Sequence, residues 1–284
     1  PMNYPKYEQA SLRIMTHNVW NGNPGGRDAR YPGFYAQYSP DVLCLQEMSP
    51  RICTPTLIEG LGQDYEFVPV DTQGQQNYTP VLVKKGVFRI LECGWHLFGG
   101  LNDSGSKSVT WAVLERVSDG VRLGVASNHF WWEEDGLEND ASRVQDVRES
   151  QAFVDYMRVK YDIPVFSMGD LNCAIPSNPY REMLRLGAID TRLCATVSSS
   201  RSNTLHEYPV LNPETGVYER GSAPVGTHMQ AIDHIMLYGM DRAEIYVQNV
   251  VTEQAALDQS DHCPVYVDVT VWGRDENNPR VLEK

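Results

Sequence analysis

The sequence predicts a mixed α/β fold in a single domain, on three observations. Short apolar runs alternate with helical patterns from the first residues to the last. Ser108–Glu115 and Val121–Val125 alternate apolar and polar residues, which is typical of antiparallel strands with one buried face. The 284 residues contain no internal linker or repeat, and large α/β sandwiches reach this length as one unit. We therefore expect residues 1–284 to form one domain.

Ten segments have the length and composition of strands, since each is a short run rich in apolar residues. They are Leu12–Met15, Asp41–Leu45, Pro80–Lys84, Val87–Trp95, Val109–Val117, Val121–Asn128, Pro164–Met168, Ile232–Tyr238, Ala243–Val250 and Pro264–Val271.

The clearest helix is predicted to begin after Asn139-Asp140, where the Asp140 side chain caps free N–H groups. Its apolar face recurs at helical spacing and consists of Ala141, Val144, Val147, Val154 and Met157. Tyr180–Leu186 is interpreted as a second, shorter helix. Residues 198–230 are rich in serine, asparagine, proline and glycine, which predicts an irregular surface loop. Loops of that length are often functional.

The charge balance bears on the partners of the protein. The formal net charge is −13, and the basic run of Lys84, Lys85 and Arg89 is small. Proteins that hold nucleic acid by its backbone usually carry a basic stripe, so tight nucleic-acid binding is disfavoured. An acidic enzyme still acts on a phosphate ester where bound metal ions reverse the local charge.

The cysteines and the apolar segments bear on metal sites, redox sites and membrane spans. None of the six cysteines shows Cys-x-x-Cys spacing, so neither a zinc site nor a redox pair is predicted. No run approaches the ~18 consecutive apolar residues that span a membrane. We expect a soluble, cytoplasmic protein, or a secreted one if a leader has been removed. The sequence leaves the oligomeric state open.

Polar and acidic side chains recur where predicted strands end. These residues are Asn18, Glu47, His129, Asp170, Asn172, Asp233, Asp261 and His262. Strand ends in a sandwich can converge on one rim, and rigid elements aim side chains well. Carboxylates are hard ligands suited to Mg²⁺ or Mn²⁺, and a histidine beside them can carry a proton. Each residue also fits a structural role: the Asp and Asn residues as turn formers, Glu47 as the start of the following helix and His129 as a half-buried structural histidine. The neighbouring His17 and His234 are interpreted as groups that pack in the core or support the site residues beside them.

Six motifs, in this order, resemble those of the endonuclease/exonuclease/phosphatase superfamily. They are Thr16-His17-Asn18-Val19-Trp20, Leu45-Gln46-Glu47, Asn128-His129-Phe130, Gly169-Asp170-Leu171-Asn172, Ile232-Asp233-His234-Ile235 and Ser260-Asp261-His262-Cys263-Pro264. The resemblance covers about residues 12–271. It implies a four-layer α/β/β/α sandwich, with two packed mixed β-sheets and helices outside.

The resemblance also implies a role for each matching residue. Glu47 resembles the principal metal ligand, Asn18 a residue that binds metal or places the phosphate, and Asp261 a further carboxylate on the metal side. The implied cofactor is Mg²⁺, with Mn²⁺ as the alternative.

The remaining positions match the catalytic set of the family. Asp170 matches the carboxylate that aligns or deprotonates the attacking water, and Asn172 the side chain that holds a phosphate oxygen. His262 matches the catalytic histidine, with Asp233 as its orienting partner. His129 matches the second histidine, which donates to the phosphate or the leaving group. The resemblance leaves open whether Asp170 or His262 removes the water proton.

One departure from the family pattern precedes the second histidine. The usual run is Asn-Thr-His, whereas this chain has Ser127-Asn128-His129. The imidazole itself is retained, and the other core positions are present. A member that has lost its activity is therefore disfavoured.

Substrate specificity is less well indicated. Trp131 and Trp132 fit either a stacking surface or an aromatic edge packed under a loop, and His206 and His228 fit either contacts to an anionic substrate or free surface histidines. We see no exposed apolar hairpin suited to membrane insertion. The favoured function is a metal-dependent phosphodiesterase or phosphatase on a small molecule or headgroup. A low-affinity endo- or exonuclease and a non-catalytic binding module on the same fold are the alternatives.

Overall fold

Two mixed β-sheets packed face to face lie at the centre of the fold. The structure, a computed structural model, describes residues 4–99, 105–133, 136–198, 203–220 and 231–273. The strands of these residues are β1 (Leu12–Asn18), β2 (Val42–Gln46), β3 (Tyr65–Phe67), β4 (Val81–Lys84), β5 (Phe88–Leu97), β6 (Ser108–Arg116), β7 (Arg122–His129), β8 (Val165–Asp170), β9 (Ile189–Asp190), β10 (Val197–Ser198), β11 (Val210–Leu211), β12 (Tyr218–Glu219), β13 (Asp233–Tyr238), β14 (Ala243–Val250) and β15 (Val265–Val271). The α-helices are α1 (Arg27–Tyr38), α2 (Pro55–Leu61), α3 (Leu137–Tyr161), α4 (Asn178–Arg185), α5 (Thr191–Cys194) and α6 (Gln254–Leu257).

The strand order makes both sheets mixed. Within the described residues, the first sheet runs β10-β14-β15-β1-β2-β4-β3 and the second runs β5-β6-β7-β8-β13-β9. Each sheet contains a central parallel pair, β1/β2 or β7/β8, with an antiparallel partner beside it. Asn18 at the end of β1 contacts Asp170 at the end of β8. The carboxyl ends of the two parallel pairs therefore lie at the same edge of the sandwich.

Three apolar clusters separate four layers. The first lies between the two sheets and includes Ile14, Val42 and Phe166, all fully buried. The second packs α3 and α4 on the outer face of the second sheet, and the third packs α1 and α2 on the outer face of the first. The protein is thus a four-layer α/β/β/α sandwich, and the fold implied by the resemblance is confirmed.

The expectation of one solvated face for β6 and β7 is wrong, although their antiparallel pairing is confirmed. Along β6, Ala112 and Leu114 face the core between the sheets, while Val109, Trp111 and Val113 face the core under α3. Helices cover the outer face of this sheet. Successive residues along β6 are therefore buried in two different apolar clusters, one on each side of the sheet.

Helix α3 begins earlier than predicted. Gly136 is its N-cap, and Asp140 lies in the first turn instead of capping the helix. Ala141, assigned to the apolar face, is exposed. The N-terminal half of the buried face is polar: the Asp146 carboxylate accepts the N–H of Trp131 at 3.0 Å, and the Ser150 hydroxyl donates to Asn128 at 2.7 Å. This half of the helix supports the end of β7.

Two further helices were not predicted from the sequence. Helix α1 contains Pro32, and no side chain caps its first turn, so the usual start signal is absent. Helix α2 is short; its cap is Thr54, whose hydroxyl accepts the N–H of Leu57 at 3.2 Å.

The segment predicted as an irregular loop contains regular structure among its described residues. In its described part, β11 and β12 form an antiparallel hairpin with Val210, Leu211 and Val217 exposed. This hairpin was not predicted from the sequence. Among the helices that the structure describes, none is both long enough and apolar enough to cross a membrane.

Candidate active site

Three neighbouring strands bring two aspartates and a histidine side by side. The register pairs His129 on β7 with Asp170 on β8, and Asp170 in turn with Asp233 on β13. Residues that lie directly opposite each other on paired strands share one face of the sheet. The hydrogen-bond register of the second sheet therefore places all three residues on one face of the sheet. They lie at the edge where β7 and β8 end and β13 begins.

Gly169 permits the close approach of β7 and β8 at this edge. Its φ is 143°, and a Cβ at this position would lie 1.9 Å from the carbonyl oxygen of Asn128. No side chain fits such a gap without moving a strand. The glycine therefore sets the distance between Asp170 and the neighbouring His129.

The first sheet supplies Asn18 and Glu47. The Asn18 amide nitrogen donates to Glu47 Oε1 and to Asp170 Oδ2, both at 2.9 Å. The amide oxygen accepts the backbone N–H of Trp20 at 2.9 Å, and the N–H of Asn21 donates to Glu47 Oε2 at 2.9 Å. The Asn18 side chain thus presents its nitrogen to the two carboxylates and holds them together.

The backbone is strained where these strands end. Trp20, Glu47 and Asn172 have φ values of 56°, 60° and 46°. A non-glycine residue in this region costs on the order of 1–3 kcal/mol and persists only where its surroundings impose it. Each of the three follows the end of a strand by one or two residues, so the strain aims side chains at the shared edge.

Asp170 is at the centre of the cluster and is 2% exposed. Its Oδ2 lies 3.2 Å from Nε2 of His129 and 3.5 Å from Nε2 of His262. Its Oδ1 accepts the backbone N–H of Asn172 at 3.2 Å. A single carboxylate therefore contacts both of the histidines that the sequence predicted as catalytic.

His262 and Asp233 form a buried pair. Nδ1 of His262 donates to Oδ2 of Asp233 at 2.8 Å, and the Thr204 hydroxyl donates to the same oxygen at 2.6 Å. The Thr204 hydroxyl also accepts the backbone N–H of Asp233 and of Ile232, each at 3.1 Å. With Nδ1 engaged by Asp233, Nε2 is the ring nitrogen that faces Asp170.

Burial and charge shift the acidities of these groups. Burial acts to lower the pKa of His262, but Asp233, Asp170 and Asp261 raise it well above its ordinary value. Burial acts to raise the pKa of Asp170, but His262 and His129 lower it below its ordinary value. Burial raises the pKa of Asp261 to about 7, and the nearby charge of Glu47 adds to the shift.

The donor set fits a hard divalent cation. Among the described residues, the ligand atoms of Glu47, His129 and Asp170 lie within 4.8 Å of one another. Two carboxylates and an imidazole suit Mg²⁺ or Mn²⁺ better than a soft metal. Burial is the main cause of the raised pKa of Asp261, and the charge of Glu47, which a bound cation would offset, adds to it. Of the predicted metal-binding residues Asn18, Glu47 and Asp261, Glu47 is the member of this group.

The predicted substrate-binding residues lie in different environments. Trp131 is buried, and its indole N–H donates to Asn139 at 2.8 Å. Packing under a loop is therefore favoured for Trp131, whereas Trp132 is exposed. His206 is buried, contrary to the alternative of a free surface histidine, and its backbone N–H donates to the Asp261 carbonyl at 2.7 Å. His228 lies outside the described residues.

Asn172 and the two packing histidines have defined partners. The Asn172 amide donates to the Phe130 carbonyl at 2.9 Å. His17 contacts the Tyr35 hydroxyl and the carbonyl of His262, and His234 contacts the carbonyl of Cys173 at 2.6 Å. Both histidines are buried, in agreement with their interpretation as packing groups.

Three residues near the cluster had no signal in the sequence. Lys107 is buried, and its ammonium lies 3.2 Å from Nε2 of His129. Thr204 holds Asp233, as described above. Tyr208 is 60% exposed, and its ring lies 5.2 Å from that of Trp20 beside the site. Neither Thr204 nor Tyr208 stands in a recognisable motif, and Lys107 precedes β6 as an isolated basic residue.

The sequence matches a known protein family. The profile of the Endonuclease/Exonuclease/phosphatase family matches residues 15–262. No curated protein matches the sequence.

Several solved structures share the fold. A mannosyl-6-phosphatase of Bacteroides thetaiotaomicron is similar with a TM-score of 0.71 and 18% identity, covering 92% of this chain and 100% of that one. Beta toxin of Staphylococcus aureus has a TM-score of 0.69 and 18% identity, covering 90% and 99%. The catalytic domain of human Nocturnin has a TM-score of 0.63 and 15% identity, covering 92% and 94%.

The fold and the cluster together define a class of protein: a four-layer sandwich with carboxylates and imidazoles at the common edge of its two sheets. The chain belongs to the Endonuclease/Exonuclease/phosphatase family. Members of this family are hydrolases that act on phosphate esters, and they generally use divalent metals.

Proposed function

We propose that this protein hydrolyses phosphate esters with a bound divalent cation. The observation that carries the proposal is the position of Asp170, whose Oδ2 contacts the amide of Asn18 and the imidazoles of His129 and His262. A buried carboxylate oxygen between two imidazoles is suited to proton transfer at a reacting centre. A structural role alone would not require both histidines.

Glu47 is assigned as the principal metal ligand, with Asp170 beside it. Asp261 is assigned as a further carboxylate on the metal side. Mg²⁺ is the preferred ion and Mn²⁺ the alternative. When bound, such an ion neutralises the charge that develops on the phosphoryl oxygens. The orientation of the Asn18 amide supports a role in positioning Glu47 and Asp170, since its oxygen is engaged by Trp20.

The Asp233–His262 pair is assigned to proton transfer. Asp233 fixes the tautomer of His262, so Nε2 faces the reacting atoms, as in the Ser-His-Asp triad. Asp170 is assigned to orient the attacking water, because two imidazoles and the Asn18 amide hold its Oδ2 in place. His129 is assigned to donate to the phosphate or the leaving group.

The phosphate and the leaving group require their own contacts. The Asn172 amide has a second N–H for a phosphoryl oxygen. His206, which lies against Asp261, and the exposed Tyr208 are suited to contact the rest of the substrate. Trp131 is suited to support the residues that contact the substrate, since it is buried beneath the surface.

A small phosphorylated molecule is the proposed substrate class. The net charge of −13 disfavours a long polyanion. The likeness to a structure described as a mannosyl-6-phosphatase makes sugar phosphates the first compounds to screen.

The test is hydrolysis of phosphate esters by protein stripped of metal with EDTA and then supplied with Mg²⁺ or Mn²⁺. The panel contains p-nitrophenyl phosphate, bis-p-nitrophenyl phosphate and sugar phosphates, with plasmid DNA as the nuclease arm. We expect metal-dependent hydrolysis of the small esters, and a fall in turnover of about 10²–10⁴-fold for His262→Ala.

His96→Ala is the matched control, since His96 pairs with Glu149 away from the cluster. Cleavage of DNA without hydrolysis of small esters would support the nuclease alternative. No hydrolysis of any substrate, together with no metal binding by calorimetry, would support a non-catalytic binding module and contradict the proposal.

A further inference from the structure

Lys107 places a cationic group inside the candidate site. The residue is 6% exposed. Its ammonium lies 3.2 Å from Nε2 and 3.4 Å from Nδ1 of His129. An ammonium at similar distances from both ring nitrogens lies over the imidazole, not in line with one lone pair. It is therefore held beside His129 without closing off the ring edge that faces Asp170.

The backbone fixes this position. Lys107 directly precedes β6, and its carbonyl accepts the N–H of Phe98 at 3.0 Å. The next pair in the register is Leu97 with Ser108. The start of the lysine side chain is thus set by the sheet, and only its four-carbon stem is free to adjust.

Two arginines near the cluster bond to backbone carbonyls, and Arg192 also pairs with Asp190. The guanidinium of Arg27 donates to the carbonyls of Val19, Trp20 and Gln259, and that of Arg192 donates to the carbonyl of Asp233. These groups hold loops and strand ends together. In the described part of the chain, Lys107 differs from them because its ammonium contacts an imidazole of the candidate catalytic set.

An ammonium in a partly desolvated site attracts nearby anions more strongly than one in bulk water does. The Glu47–His129–Asp170 group lies next to it, with Glu47 Oε1 4.0 Å and Asp170 Oδ2 3.2 Å from Nε2 of His129. A phosphoryl group held by these residues would lie within reach of the Lys107 side chain.

We propose that Lys107 binds a non-bridging oxygen of the substrate phosphate and that its charge favours phosphomonoesters over phosphodiesters. The inference rests on the proposed function of the same site. A phosphomonoester carries two negative charges at neutral pH and a diester carries one, so the attraction to a fixed ammonium is about twice as large for the monoester. Lys107 is thus a specificity-determining residue.

The test compares Lys107→Met, which keeps the stem and removes the charge, with Lys107→Arg, which keeps the charge. Lys160→Met is the matched control, because Lys160 pairs with Glu92 at the surface of α3. For each protein, kcat/KM is measured on p-nitrophenyl phosphate and on bis-p-nitrophenyl phosphate, and the binding of orthophosphate is measured by calorimetry with metal present.

We expect Lys107→Met to lower kcat/KM about 100-fold on the monoester and no more than about tenfold on the diester. Orthophosphate binding should weaken about tenfold or more, the range for a hydrogen bond to a charged group. Lys107→Arg should retain most of the orthophosphate affinity, and Lys160→Met should match the wild-type protein. Melting temperatures within a few degrees of wild type exclude misfolding as the cause.

An equal loss on both esters with unchanged orthophosphate binding would show that Lys107 only positions His129, and would overturn the proposal. If wild-type protein hydrolyses neither these two esters nor the sugar phosphates, the proposed function fails. Orthophosphate binding then decides the inference by itself: no binding to wild type, or equal binding to wild type and Lys107→Met, overturns it.

Discussion

Nδ1 of His262 lies 2.8 Å from Oδ2 of Asp233, and both side chains are buried. The two residues are 29 positions apart in the sequence and adjoin different sheets, since Asp233 begins β13 of the second sheet and His262 precedes β15 of the first. Their contact therefore joins the two halves of the sandwich at the edge where Asp170 lies. It also commits one ring nitrogen of His262 and leaves the other facing the candidate reaction centre.

Replacing Asp233 with asparagine should keep the geometry and remove the charge that fixes the His262 tautomer. We expect kcat to fall about 10²–10⁴-fold while KM changes little, because the loss affects proton transfer. Steady-state kinetics on p-nitrophenyl phosphate with Mg²⁺ measures it. Asp241→Asn at the exposed surface is the control. Wild-type turnover in Asp233→Asn would remove the pair from the mechanism.

Thr204 should act through Asp233. Thr204→Val keeps the side-chain shape but deletes the hydroxyl that donates to Oδ2 of Asp233 at 2.6 Å. We expect a fall in kcat of roughly tenfold, the usual scale for groups that orient a reacting residue. Two backbone N–H groups also lose their acceptor, so the free energy of unfolding should fall by about 1–3 kcal/mol. Thr204→Ser should restore both quantities; a stability loss with unchanged kcat would limit Thr204 to a structural role.

Metal binding should release a proton from Asp261 near neutral pH. Burial and the charge of Glu47 raise the pKa of Asp261 to about 7, so in the metal-free protein this carboxyl keeps its proton up to that pH. A cation binds the ionised form. Affinity should therefore rise by up to about tenfold per pH unit below pH 7 and level off above it. Calorimetry in two buffers of different ionisation enthalpy measures the released proton. Proton release that persists in Asp261→Asn would assign it to another group.

Gly169 and Gly33 should respond oppositely to alanine. A Cβ at Gly169 would lie 1.9 Å from the carbonyl oxygen of Asn128, so Gly169→Ala must push β8 from β7 and should cost more than about 2 kcal/mol of unfolding free energy. Gly33 lies exposed in α1 with open space around it, so Gly33→Ala should stabilise the protein by about 0.5–1 kcal/mol. Urea denaturation of both variants gives the values. A Gly169→Ala protein as stable as wild type would show that the strands tolerate the separation.

Most strands could be predicted because short apolar runs are a local signal. The ten predicted segments correspond to β1, β2, β4, β5, β6, β7, β8, β13, β14 and β15. Helix α1 could not be predicted, since Pro32 and the lack of a capping side chain hide a helix that tertiary packing stabilises. The polar buried face of α3 was missed for a related reason. Its partners, such as Asn128, come from a different element.

The residue types of the candidate site were predictable, and its grouping was predictable in part. Asp170, His129, His262 and Asp233 were predicted together, and the structure brings them into contact. The predicted metal set is divided: Glu47 groups with His129 and Asp170, while the Asn18 amide turns its nitrogen to the carboxylates. The orientation of the Asn18 amide depends on the hydrogen bond that it accepts from the Trp20 N–H. The spacing of residues in the sequence does not predict that bond.

The sequence by itself determined which chemical groups stand at the ends of which strands, because strand length and residue type are local properties. Only the tertiary structure decided which of those groups share an oxygen or a nitrogen. Strand register, the close approach at Gly169 and the packing of two sheets set those distances, and each depends on segments far apart in the chain. Lys107 illustrates the difference: it is an unremarked basic residue in the sequence, and only the fold places its ammonium over the imidazole of His129.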